Sequence, residues 1–546
     1  MEDLCDIDGC QFIFFDMTKT QKTTIFFLLV FTILSRFVSL NRVPPHLSND
    51  EISIAYDAYS ILHTGRDEHN NFLPVSFQSH GTYKAPFYVY IASISNYFWG
   101  NSEISVRLPS AILGSLTVLV LGYLIFLLSR NINLAILSAG VLAFAPWHIY
   151  CSRMALESNV ALFLLTLAIL LFFRMLQTKK NRYLFFSVIF FALSMWGYHS
   201  EWLLTPMIMI GLLVFYRRKI RLNLFWGASV FLFLVFIFPI AKDAWQNRDT
   251  TARANTEVII NDPGVAKIIN DEKKSLIEKT MVVGKSFGAN YSNYTKLGHL
   301  FFDGLPILPK EDAYCVGLFL LPLLPFFLWG LFKIKRYFPK DYLFVYFWII
   351  VGPIVPSLTI GGANMVRNLV TVVPYSLLMA VGIYDLRFCI KGFRLILFCF
   401  LVLISFFYFL VMYYYHFPFQ MGENFQYGYK QAAEYIENNY SKYDRIVVDP
   451  RFGEVNIYRG VPHLYLAYFT KLEPEKMLER KNTEKGLSFD KYEIGSINWN
   501  VEKIEPRTLY LVPFDNQPSD TVGNLRTVEE IRLPSYKVEF KLLESF

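Results

Sequence analysis

The chain has 546 residues, of which 54% are hydrophobic, 17% aromatic and 18% charged, against roughly 25% charged in an ordinary soluble domain. That balance excludes a disordered chain and an ordinary soluble enzyme, and the apolar residues gather in runs of about 20, the length that crosses a bilayer. The net charge of +7 does not imply nucleic acid, because the basic residues fall in short clusters between the apolar runs, where membrane topology accounts for them.

About eleven spans are predicted, near 24–40, 106–128, 133–150, 158–176, 183–198, 202–216, 222–240, 315–332, 342–358, 369–386 and 393–415. The connections alternate between two sets, and one set is basic: Arg130; Lys179, Lys180 and Arg182; Arg217, Arg218, Lys219 and Arg221; Lys333, Lys335, Arg336 and Lys340; Arg387, Lys391 and Arg394. The positive-inside rule places these in the cytoplasm together with Lys19, Lys22 and the N-terminal segment 1–23. The first apolar run has no small-residue cleavage site after it and reads as a retained span. The loops 41–105 and 241–314 and the tail 416–546 are then outside. The tail alternates a helix-like stretch (Tyr429 to Tyr440) with strand-like ones (Arg445 to Asp449, Thr508 to Phe514, Tyr536 to Leu542), which predicts a small extracytoplasmic α/β domain. Six cysteines, Cys5, Cys10, Cys151, Cys315, Cys389 and Cys399, form no C-x-x-C pair and indicate neither zinc nor a disulfide scaffold. The Asn-x-Ser/Thr triplets at Asn290, Asn293 and Asn439 are of the kind chance supplies.

The outer connections carry the chemistry. In Pro44-Pro45-His46-Leu47-Ser48-Asn49-Asp50-Glu51 two adjacent carboxylates follow the first span; they read either as a solvated helix cap or as a general base in a partly dehydrated groove. Tyr83-Lys84-Ala85-Pro86-Phe87-Tyr88 sets one cation among aromatic residues, ahead of an apolar stretch to Trp99. Lys84 is either an interfacial anchor or a phosphate ligand oriented by Tyr83 or Tyr88. In the second outer turn Arg153 and Glu157 stand four apart, which on a helix makes them a pair, or else marks a substrate path at the mouth of a span. His199, Glu201, Asn364 and Arg367 lie at the same depth on two further connections.

These elements resemble the polyprenyl-phosphate-sugar-dependent glycosyltransferases of the GT-C superfamily, in particular the protein O-mannosyltransferases of glycosyltransferase family 39 and the lipid A aminoarabinose transferases. The resemblance rests on Asp50-Glu51 beyond span one, Tyr83 to Pro86, Val106-Arg107-Leu108-Pro109-Ser110, Ser152 to Glu157, and Arg367-Asn368 with Pro374. It covers about residues 24–390. The family's second acidic position is often Asp where Glu157 stands, and the Lys-Pro-Pro of the aminoarabinose branch is Lys-Ala-Pro here. The resemblance implies a polytopic GT-C transmembrane domain over 24–415 and an inverting transfer of a sugar from a polyprenyl-phosphate donor to an acceptor hydroxyl at the outer face of a plasma membrane. Asp50 would be the base. Lys84, with Arg153 or Arg367 and with Tyr83, would bind the donor phosphate, and Tyr88, His199, Glu201 and Asn364 would line the substrate cavity. Glu51 and Glu157 would orient the acceptor or, with Asp50, hold a divalent Mg or Mn ion; no metal or other cofactor is predicted as a requirement. The expected partners are the bilayer, the lipid-linked donor and an acceptor that is protein, lipid or cell-wall glycan. The alternative is a transporter or flippase of lipid-linked sugars, which would carry repeats and broken polar segments at mid-membrane; the charges here lie at the rim. A non-catalytic scaffold is the third reading.

Overall fold

The computed structural model describes residues 17–79, 82–220, 224–246, 257–306, 315–389, 391–452, 460–518 and 524–546. Cys5, Cys10, Gly81 and Arg221 lie outside them. A helix stands at each predicted span. The first, α1 (Lys19–Phe37), opens on a capping box in which Thr18 accepts from Gln21 N and the Gln21 side chain accepts from Thr18 N. After it come α2 (Asn49–Thr64), a hairpin of β1 (Phe77–Ser79) and β2 (Thr82–Lys84), and α3 (Pro86–Trp99), whose far end exposes Ile94, Tyr97, Phe98 and Trp99. The chain continues through α4 (Glu103–Ser129), α5 (Ile132–Phe144), α6 (Pro146–Ser152), α7 (Glu157–Thr178), α8 (Asn181–Gly197), α9 (Glu201–Tyr216) and α10 (Leu224–Gln246). Beyond these lie α11 (Leu276–Thr295), α12 (Leu324–Tyr337), α13 (Tyr342–Val351), α14 (Val372–Leu386) and α15 (Phe393–Val411).

The molecule is a polytopic helical protein, but its helices do not make eleven uniform spans. Among the described residues five are long and apolar enough to cross a membrane alone: Glu103–Ser129, Glu157–Thr178, Leu224–Gln246, Leu369–Leu386 and Phe393–Gln420. The predicted span 133–150 is instead α5 and α6 meeting at 64°, because Pro146 cannot continue α5 and opens α6. The span 342–358 is likewise broken after Val351, at Gly352-Pro353. Helices such as α8, with 17 residues, rise about 25 Å, short of the roughly 30 Å hydrocarbon core.

Helix α7 packs against α4 and α8, α5 packs against α14, and α14 packs against α12. The last pair approaches closely through two glycines: a Cβ on Gly330 would lie 1.9 Å from the Leu378 carbonyl oxygen, and one on Gly382 2.0 Å from that of Phe326. Gly382→Ala is therefore expected to force the helices apart at a cost of about 1–3 kcal/mol. Gly227→Ala in α10, where the added methyl meets nothing within 4 Å, is expected to be neutral or mildly stabilising. Thermal unfolding in detergent checks this, and equal midpoints for the two variants would refute the contact.

The tail folds as α16 (Tyr429–Asn439) and α17 (Pro462–Phe469) against a seven-stranded sheet. In chain order the strands are β3 (Arg445–Val448), β4 (Lys481–Thr483), β5 (Gly486–Phe489), β6 (Tyr492–Ile494), β7 (Thr508–Pro513), β8 (Leu525–Arg532) and β9 (Val538–Ser545), arranged β4-β5-β6-β3-β7-β9-β8. Central β3 runs parallel to β6 and β7, and the outer pairs are antiparallel. Every residue of β7 is buried, as expected of a strand covered on both faces. The predicted strand 536–542 starts later and ends later, because Tyr536 has a φ of 67° and sits in the turn between β8 and β9. One apolar core runs without a break from α2 and α3 (Ile52, Tyr56, Tyr88, Val89) through α17 (Leu464, Tyr465, Tyr468) into the sheet (Ile446, Leu509, Phe540). The tail is thus packed on the first loop.

Candidate functional site around the first loop

The loop between α1 and α2 is folded around buried arginines. Arg107, at the start of α4, donates through Nη1 to the carbonyl oxygens of Leu40 (3.1 Å) and Pro44 (3.0 Å) and through Nη2 to that of His46 (2.6 Å). It also forms a two-pronged ion pair with Glu51, Nε to Oε1 at 2.8 Å and Nη2 to Oε2 at 3.0 Å. Ser48 caps α2, and the Glu51 carboxylate reaches back to Ser48 N (3.0 Å) and across to Ala155 N (2.9 Å), which opens the stretch before α7. Both members of the pair are fully buried, at 0% and 1% exposure. One carboxylate therefore ties together the first loop, the start of α4 and the stretch before α7.

This corrects two expectations for Glu51. With both oxygens taken by four N–H donors it is not free to orient an acceptor, and it does not fit a divalent cation shared with Asp50 and Glu157. Among the described residues no three His, Cys, Asp or Glu side chains group as metal ligands. Asp50 behaves oppositely. It follows the same Ser48 cap but is exposed, since successive residues on a helix point in directions about 100° apart. The lock on Glu51 turns Asp50 outward.

Lys84 is also placed differently from expectation. It is buried and donates to Asp57 Oδ2 (2.7 Å) and Ser53 Oγ (2.7 Å) on α2, so its charge is already met. Burial lifts the Asp57 carboxyl above its usual range even with the ammonium beside it. Glu68 adjoins the pair through its backbone N–H on Asp57 Oδ1 (3.1 Å), and its carboxylate pairs with His69 at 3.0 Å. Asp57 and Glu68 went unnoticed in the sequence. The spacing of Asp50, Ser53 and Asp57, which puts all three on one helical face, was the available signal.

The other predicted cations are spread apart. Arg153 donates to the carbonyl oxygens of Ser35, Ser39 and Val43 at 3.2, 3.2 and 3.0 Å and faces the rings of Tyr413 and Tyr414. It is no i,i+4 partner of Glu157 on one helix, because Arg153 ends α6, Glu157 opens α7 and residues 153–156 between them are not helical. Arg36, also fully buried and missed in the sequence, donates to Ala143 O (3.0 Å) and meets His148 Nδ1 (3.0 Å). Arg367 pairs with Glu257 at 2.9 Å and with Thr359 Oγ1 at 2.6 Å. Lys84, Arg153 and Arg367 thus hold three separate sets of partners.

The predicted cavity residues, and Tyr83 among the predicted phosphate ligands, are dispersed as well. Tyr88 is buried with its hydroxyl donated to Val106 O (2.9 Å), which makes it a packing residue. Tyr83 is half-buried on β2 opposite Gln78, His199 leans on Trp202 with ring centres 5.0 Å apart, Glu201 is buried and accepts from Thr205 Oγ1 (2.7 Å), and Asn364 is exposed and caps Val366 N.

The family model described as dolichyl-phosphate-mannose-protein mannosyltransferase matches residues 83–241, a stretch that takes in Lys84, Arg107, Arg153 and Glu157. No curated protein matches the chain. Among solved structures, ArnT from Cupriavidus metallidurans bound to undecaprenyl phosphate superposes with a TM-score of 0.56 at 12% identity, over 95% of this chain and 97% of that one. Its apo state gives 0.55 at 12% identity, over 96% and 98%. The chain has the GT-C fold. The match to ArnT runs nearly end to end, so the GT-C fold here includes the tail. The archaeal oligosaccharyltransferase AglB from Archaeoglobus fulgidus, in complex with an inhibitory peptide and a dolichol-phosphate, matches at TM-score 0.49 and 11% identity; the chain covers 64% of it, with 83% of this chain aligned.

Proposed function

We propose that the chain is an inverting glycosyltransferase that moves a sugar from a polyprenyl-phosphate donor to an acceptor hydroxyl at the outer face of the membrane. The observation that carries this reading is the split between adjacent carboxylates: Glu51 locked to Arg107, and Asp50 exposed beside it. Support comes also from the GT-C fold and from the family-model match over 83–241. Asp50 takes the proton of the acceptor hydroxyl as its oxygen attacks the anomeric carbon; the bond from that carbon to the phosphate oxygen breaks on the opposite face, and polyprenyl phosphate leaves as a monoester. The leaving phosphate carries growing negative charge, which a cation stabilises. Lys84 supplies it once the donor phosphate competes with Asp57 for the ammonium. The acceptor, by covering Asp50, dehydrates a carboxylate that the protein alone leaves in water.

The experiment is turnover by the purified protein in lipid nanodiscs, with polyprenyl-phosphate-linked mannose, arabinose and aminoarabinose as donors. Release of polyprenyl phosphate from at least one, with inverted configuration in the product, is the expected result. Movement of these lipids across proteoliposomes without any bond cleavage would give the molecule to the transporter class instead.

A further inference from the structure

A cavity of about 420 Å³ opens at the seam between the membrane helices and the tail, a size typical of small-molecule sites. Its walls come from the loop after α1 (Arg42, His46), the start of α4 (Glu103) and the entry to α16 (Tyr427, Lys430, Gln431, Glu434). His46 is the wall it shares with the candidate site. Arg107 holds the His46 carbonyl, and four residues of chain, at most about 14 Å, separate His46 from Asp50.

The lining tells what would fill it. Lys430 bridges Glu103 at 2.8 and 3.0 Å, and Arg42 and Glu434 line the same cavity, so the four charges balance and give no cationic nest for a phosphate. Instead the cavity is rich in acceptors. The His46 ring is buried and neutral, its pKa pushed down to about 4 by burial; its Nδ1 faces the Phe425 carbonyl oxygen at 3.2 Å, which assigns the proton there and leaves Nε2 as an acceptor. Nε2 has no hydrogen-bond partner, and neither has Gln431 Oε1. Both atoms are sealed from solvent although their residues line the cavity, so a ligand meets them only when the side chains in front turn aside, and an unmet buried acceptor is costly. Glu434 adds an exposed carboxylate, and the half-buried Tyr427 adds an aromatic face, edge-on to His46 at 6.1 Å. Acceptors, one guanidinium and an aromatic ring call for a neutral ligand with many O–H donors and an apolar ring face.

We propose that this cavity is a carbohydrate subsite, seating a sugar of the acceptor glycan beside Asp50. The assignment of that sugar to the acceptor rests on the glycosyltransferase reading; the binding of carbohydrate does not.

The full chain in nanodiscs is titrated with neutral trisaccharides of mannose, glucose, galactose, arabinose and N-acetylglucosamine, followed by saturation-transfer NMR, with undecaprenyl phosphate as a separate ligand. At least one trisaccharide is expected to bind, and Glu434→Gln and Tyr427→Ala are each expected to weaken it about tenfold or more while undecaprenyl phosphate binding stays unchanged. Absence of trisaccharide binding, binding indifferent to both substitutions, or a short peptide binding there in place of every sugar would overturn the proposal. If sugars bind as expected but no donor is cleaved, the subsite stands and the glycosyltransferase reading falls.

Discussion

Asp50→Asn protein is expected to fold, to bind the lipid donor, and to transfer sugar about 10²- to 10⁴-fold more slowly, the contribution of a positioned general base. The substitution keeps shape and removes the basic lone pairs. Because Asp50 is exposed at the first turn of α2, the change disturbs no packing, so the loss belongs to the chemical step: kcat falls and the donor's Kd does not move. Glu157→Gln is the comparison to run beside it, since Glu157 is buried at the opening of α7. Transfer at the wild-type rate by Asp50→Asn would end the assignment, and a loss confined to Glu157→Gln would move the base to the turn between α6 and α7.

Glu51→Gln should fail in another way. It leaves the Arg107 guanidinium buried at 0% exposure without its counter-charge, and removing one partner of a buried pair costs about 3–5 kcal/mol. Expression and the thermal midpoint in detergent are expected to fall sharply, while Asp50→Asn melts as wild type does. The double variant Glu51→Gln with Arg107→Met removes the stranded charge and is expected to recover part of the midpoint, although the carbonyl oxygens of Leu40, Pro44 and His46 lose their donor. A Glu51→Gln protein as stable as wild type would show that the ion pair does not hold the loop. The two neighbouring carboxylates are thus separable by experiment: one alters rate at constant stability, the other stability first.

Apolar periodicity made the helices legible, because a run near 20 residues has few other uses. What it could not convey was where a run breaks. Pro146 and Gly352-Pro353 were visible as residues, yet whether a proline kinks a span or ends it depends on what packs alongside. Strand β8 was hidden because half of Leu525 to Arg532 is charged and most of it faces solvent at the sheet edge, where burial does not impose alternation. At the candidate site, Asp50 and Glu51 were found as a pair, but which one turns outward is decided by Arg107, 56 residues away. A charge at the opening of an apolar span is itself a sign of a buried partner, so Arg107 invited that question. The partner of Lys84 was hidden because Asp57 comes near only when the β1–β2 hairpin folds back on α2. Polar contacts between distant segments leave little trace in local pattern, and both the placing of Glu51 among the catalytic groups and the unseen Asp57 beside Lys84 have that origin.

The core shared by the first loop and the tail also sets a timetable. Ser102 N and Asn101 Nδ2 donate to Tyr468, contacts that join residues 366 and 367 positions apart, and Tyr465 closes over Leu47 at a separation of 418. At roughly 5–20 residues per second of synthesis, the segment bearing Asp50 waits on the order of 20 to 80 s for α17 to leave the ribosome. Until then α2 and α3 present their apolar faces without a cover. The carboxylate loop is among the earliest parts of the molecule to be made and among the last to be finished, so a chain released early inserts its helices into the bilayer but lacks a completed site.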